Sequence, residues 1–149
     1  MKALATLLVV GMFLTTGAMA DDVDDVKAAV MDHYVAVNSM DANAYSRYYP
    51  SETSVFAGGG LLSTYHSVEE RKNNFQNGVT PGAKRNLGLQ HMEVKIYGTT
   101  AVVTGYMVGT NTSPDGTVTQ VRNQRTEVLI KQGGQWKAVH NHRSPLFPR

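Results

Sequence analysis

The chain has 149 residues, 14 Lys plus Arg against 12 Asp plus Glu, no cysteine, and a formal net charge of +2. A nearly balanced charge shows nothing of the dense basic stripe of a nucleic-acid-binding surface, and no nucleic-acid partner is expected. The missing cysteine excludes disulfides, thiolate metal sites and attachment of a lipid at a thiol.

Residues 1–20 carry Lys2, an apolar run from Ala3 to Leu14, and the small residues Ala18 and Ala20 before Asp21 and Asp22. That order predicts a cleavable export signal. The apolar run falls short of the roughly 20 residues that cross a bilayer. The expected product is one domain, 21–149, periplasmic or secreted, with no membrane contact after cleavage. Its 129 residues, 149 less 20, suffice for a core without staples.

Val23, Val26, Ala29, Val30, Tyr34 and Val37 recur at three- and four-residue steps, so 22–38 predicts an amphipathic helix. The cluster Asp21, Asp22, Asp24 and Asp25 suits a helix N-terminus, where carboxylates meet the positive end of the dipole. Asp41 is placed to cap a short helix to about residue 48, which Pro50 ends. A short strand is expected at 54–57, then a Gly58-Gly59-Gly60 turn and a loop to His66. Ser67 and Glu70 have capping-box spacing, predicting a third helix over 68–76.

Beyond that point the helical period gives way to β-branched and aromatic residues. Four strands are expected at 87–97, 101–110, 118–131 and 135–144. Gly98, the Ser113 to Gly116 stretch and Gly133-Gly134 punctuate them. Three helices before an antiparallel meander read as α+β, with helices covering one face of a curved sheet.

With a two-residue turn at Gly133-Gly134, the last hairpin pairs Lys131 with Trp136, Leu129 with Ala138, Glu127 with His140 and Arg125 with His142, all on one face. A carboxylate opposite an imidazole can orient it and raise its basicity, making Glu127 and His140 the candidate catalytic pair. The competing reading is a cross-strand polar pair that only supports the sheet or a dimer interface. His140 and His142, two apart on a strand, also invite a metal, but no third ligand is evident and no metal or cofactor is expected. Tyr34, Phe56, Tyr65 and Tyr106 are candidate pocket residues, whereas Tyr48, Tyr49 and Phe75 read as core.

Two stretches resemble the nuclear transport factor 2-like superfamily, which includes SnoaL-like cyclases, ketosteroid isomerases and the association domain of calcium/calmodulin-dependent kinase II. They are Tyr34-Val35-Ala36-Val37-Asn38 through Asp41, and Trp136-Lys137-Ala138-Val139-His140-Asn141-His142-Arg143-Ser144. The second is similar to the kinase association domain in particular, and Tyr106 stands where that domain has a strand tyrosine. The resemblance implies a cone-shaped, cystatin-like α+β roll, with a ligand pocket at its open end and a homodimer formed through the sheet.

It also implies that Tyr34 matches the oxyanion-donating tyrosine of the isomerases. Their first-strand aspartate is replaced by Ala57 beside Phe56, which removes the general base of that reaction. Arg143 matches a pocket arginine of the kinase domain, while Glu127 and Val108 stand where two others would be. The function expected is binding of a small organic molecule by Tyr34, Tyr106, His140, His142 and Arg143. The alternatives are a dehydratase, isomerase or cyclase with His140 as base, and an oligomeric assembly domain.

Overall fold

The computed structural model describes residues 16–57 and 59–146, with side chains from Asp21 onward. The expected export signal therefore falls largely outside the described residues.

Helix α1 spans Thr16–Ser39, α2 Ala42–Ser46 and α3 Val68–Asn77. The strands are β1 Thr53–Phe56, β2 Leu62–Tyr65, β3 Lys84–Tyr97, β4 Thr100–Thr112, β5 Val118–Gln132 and β6 Gln135–Pro145. α1 begins earlier than expected because Ala18, Met19 and Ala20 are good helix formers. The aspartate cluster consequently lies inside the helix, where Asp22 pairs with Lys131 at 2.5 Å, instead of at its N-terminus. Asp41 caps α2 by accepting from the Asn43 and Ala44 amides, both at 2.9 Å. Ser67 accepts from the Glu70 amide at 3.0 Å, and the Glu70 carboxylate accepts from His66, one residue before the cap.

The six strands form one sheet in the order β2-β1-β6-β5-β4-β3, antiparallel except for β1 beside β6. The sheet is curved and open, with the helices on its inner face. α1 inserts Val26, Val30 and Tyr34, spaced one helical turn apart, against Ala101, Val103, Met107, Leu129 and Ala138. Burying each large apolar side chain contributes about 1.5–3 kcal/mol. The Asn38 side chain fixes α1 to β3, donating to the Leu87 carbonyl at 2.9 Å and accepting from its amide at 2.8 Å.

Curvature comes from three local devices. Gly109 has φ 143°, and a Cβ there would sit 1.9 Å from the Asn86 carbonyl oxygen, so β3 and β4 approach where only glycine fits. A bulge between Gln90 and Glu93 holds His91 at φ 51°. A second bulge interrupts β5–β6: Leu129 pairs with Ala138 but Val128 pairs with His140, leaving Val139 as the extra residue. One inserted residue reverses the inward and outward alternation for the rest of the strand.

The second bulge corrects the expected register. Lys131 still faces Trp136 and Leu129 faces Ala138, but Glu127 faces Asn141, Thr126 faces His142 and Arg125 faces Arg143. His140 and His142 turn to the outer face, and Asn141 and Arg143 turn inward.

Candidate functional site

A cavity of about 430 Å³ opens between the helices and the inner face of the sheet. This volume lies in the range that holds small organic ligands. α1 supplies His33 and Tyr34, α2 supplies Tyr45, α3 supplies Arg71 and Phe75, and the long strands supply Arg85, Met107, Arg125, Asn141 and Arg143.

Four guanidinium groups thus reach one cavity, and among the described residues no carboxylate lines it. Glu127 lies behind the wall, fully buried. It accepts a hydrogen bond from the Arg125 Nε–H and another from the Tyr48 hydroxyl at 2.5 Å. That ion pair holds Arg125 in its charged form, although burial opposes the charge. Arg71, 4% exposed, has its guanidinium over the Tyr49 ring at 3.8 Å and near the Tyr65 ring at 4.6 Å. Its stacking on two aromatic faces favours the cation without neutralising it.

Arg143 has no ion-pair partner among the described residues and is exposed to solvent. It is the cross-strand neighbour of Arg125 on the inner face, and like charges placed opposite each other destabilise a sheet. Partial desolvation, followed by the positive charge of Arg125, pushes its pKa below the ordinary arginine value. Arg85 donates to the Gly78 carbonyl at 3.0 Å and lies 5.3 Å from the Phe75 ring centre.

Around these cations stand buried polar atoms without partners among the described residues: the Tyr34 hydroxyl, Arg71 Nε and His33 Nδ1. His33 is stacked on Tyr48, with ring centres 4.4 Å apart, and its Nε2 lies 3.5 Å from the Tyr49 hydroxyl. Burial, and then Arg125 and Arg71, hold its pKa well below 6.5, so the ring is neutral at pH 7. Burial also pushes the Tyr34 phenol up to about 12, leaving it a protonated donor.

The expected site residues therefore divide between two faces. Tyr34 and Arg143 line the cavity, as do Tyr49, Tyr65 and Phe75. Tyr106 lies on the outer face, 42% exposed, opposite Gln90 and Gln124. His140 and His142 are also outside, as is Phe56, expected in the pocket, whose ring centre is 5.9 Å and 5.8 Å from theirs. The pairing of Glu127 with His140 is corrected, since the Val139 bulge places the two on opposite faces. Glu127 serves Arg125 and Tyr48 instead.

Arg71 and Arg85 were not among the expected site residues, and Arg125 was placed on the face of Glu127 without a role in the site. Arg71 had a signal in the sequence: it is four residues before Phe75, so both lie on the buried face of α3. Nothing local marked Arg85, whose approach to the cavity depends on the bend of β3.

Residues 23–146 match the family model of the calcium/calmodulin dependent protein kinase II association domain. No curated protein sequence matches the chain. Among solved structures, it is similar to a candidate dehydratase of the nuclear transport factor 2-like family from Streptomyces avermitilis. That match has TM-score 0.78 and 18% identity, and covers 87% of this chain and 99% of that one. A kinase II hub from S. rosetta aligns at TM-score 0.66 and 27% identity, over 83% and 95% of the two chains. A ketosteroid isomerase-like protein from Erwinia carotovora atroseptica aligns at TM-score 0.69 and 20% identity, over 86% and 98%. With the six-stranded curved sheet and the matched span, the chain belongs to the calcium/calmodulin-dependent protein kinase II association domain family, on a nuclear transport factor 2-like fold.

Proposed function

We propose that this domain is a binding module that holds a small organic anion, carrying one or two carboxylates, in the arginine-lined cavity. The observation that carries this reading is the pairing of Arg125 with Arg143 on the inner face, with Arg71 and Arg85 lining the same cavity and Glu127 paired to Arg125 alone among the four. Like charges facing each other across a strand pair repel, and a carboxylate meets guanidinium donors in a bidentate geometry that offsets the repulsion. Tyr34 and Arg71 Nε provide further unpaired donors. Residues 1–20 serve in this reading as an export signal, and 21–149 as one periplasmic or secreted domain.

The enzyme alternative built on His140 loses its geometry, because Tyr34 faces the cavity and His140 the opposite side of the sheet. A second reading, self-association, is favoured by the family and by solved relatives described as hub or association domains. It is compatible with the first. A homodimer through the sheet would cover outer-face residues such as Tyr106 and Phe56, 42% and 38% exposed. Light scattering on a sizing column tests it, with a dimer or larger closed ring expected and a monomer at high micromolar concentration against it.

Native mass spectrometry of the protein purified from its own host tests the ligand. The expected result is a retained small acid that is lost from Arg143→Ala. Retention of a neutral molecule, unaffected by that substitution, contradicts the proposal.

A further inference from the structure

The bulge that sends Arg143 into the cavity also places two imidazoles side by side on the opposite face. His140 and His142 are two residues apart on β6 beyond the bulge, so they share a face about 7 Å apart along the strand. Their orientation is supported from β1, which pairs Ser54 with His140 and Phe56 with His142 in parallel register. The Ser54 hydroxyl lies 2.8 Å from His140 Nδ1, which leaves Nε2 as the nitrogen free for a ligand. Polar support of this kind at one ring nitrogen is the usual companion of metal ligation at the other. Phe56 stands edge-on to both imidazoles, at interplanar angles of 75° and 77°, and so backs the two rings together. The cross-strand neighbours on β5, Val128 and Thr126, bring no positive charge to the pair.

We infer that His140 and His142 form a chelating site for a late first-row divalent cation, Cu²⁺, Ni²⁺ or Zn²⁺, bound through Nε2 of His140 and a ring nitrogen of His142. Imidazole pairs suit these ions, with Cu²⁺ bound most tightly among them. Among the described residues no group of three or more His, Asp or Glu gathers within one chain. The remaining coordination positions are therefore filled by water or by the same pair from a second copy. This site is independent of the anion cavity and stands or falls without it.

Calorimetric titration of the untagged protein with CuCl₂ and NiCl₂, with electron paramagnetic resonance of the Cu²⁺ complex, tests the inference. The expected spectrum shows at least two nitrogen ligands. His140→Ala and His142→Ala each weaken binding at least tenfold, and Ser54→Ala weakens it a few-fold by freeing the His140 ring. His91→Ala, on β3 beyond the site, leaves affinity unchanged. Because the two histidines are not part of the buried core, circular dichroism should show each variant folded. Wild-type affinity in the His140→Ala/His142→Ala double variant, or a single-nitrogen spectrum, overturns the inference.

Discussion

Glu127 is the residue on which the inner wall of the sheet depends. It is fully buried, and its two partners, Arg125 and Tyr48, come from β5 and from the turn after α2. Glu127→Gln keeps the shape but removes the charge, leaving the Arg125 cation uncompensated. The expected loss is about 3–5 kcal/mol in urea unfolding; a loss below about 1 kcal/mol would show that Arg125 is solvated in another way. His33 gives a prediction in pH. Its folded pKa lies well below 6.5, mainly through burial and then through Arg125 and Arg71. Below pH 6.5 the unfolded chain binds a proton that the folded chain refuses, so stability falls as pH falls from 7 to 5. His33→Phe should flatten that slope, and an equally steep slope in the variant would assign it to other groups. Glu127 was legible in the sequence as an acid sharing a strand face with Arg125 and Leu129, but its partner Tyr48 was not, because Tyr48 reaches it from 79 residues away.

At the scale of elements, two bulges and one glycine decide which side chains face the cavity. Gly109→Ala would put a methyl group 1.9 Å from the Asn86 carbonyl at φ 143°. We expect a loss of about 2–4 kcal/mol and a disturbed β3–β4 pairing, visible as faster amide exchange along β4. An unaltered exchange pattern would mean that the close approach is not obligatory. Periodicity made the three helices and the four long strands legible, and Asp41 and Ser67 marked two helix starts through their capping chemistry. β2 was not legible, because Leu62–Tyr65 is a four-residue edge strand that pairs, among the described residues, with β1 alone. The Val139 bulge was not legible either. Alternation is read by assuming one residue per step, and an inserted residue leaves no mark in composition.

For the molecule as a whole, charge balance and fold diverge. The chain carries nearly equal numbers of acids and bases, yet α3, β3, β5 and β6 bring four arginines to a single cavity. The resemblance singled out Arg143, and the family model over 23–146 accords with the resemblance. Arg71 was marked by its spacing from Phe75 and Arg125 by its strand face, but their convergence with Arg85 on one cavity became legible only with the fold. If an anion resolves their repulsion, saturating ligand should raise the thermal midpoint of the wild type and have little effect on Arg143→Ala. The most direct test is calorimetric comparison of a small dicarboxylate with its uncharged diamide, matched in size, against the same protein at low ionic strength. The account predicts measurable binding of the dicarboxylate, weakened at least tenfold by Arg143→Ala and by Arg71→Ala, and none for the diamide. Equal affinity for acid and amide would contradict it.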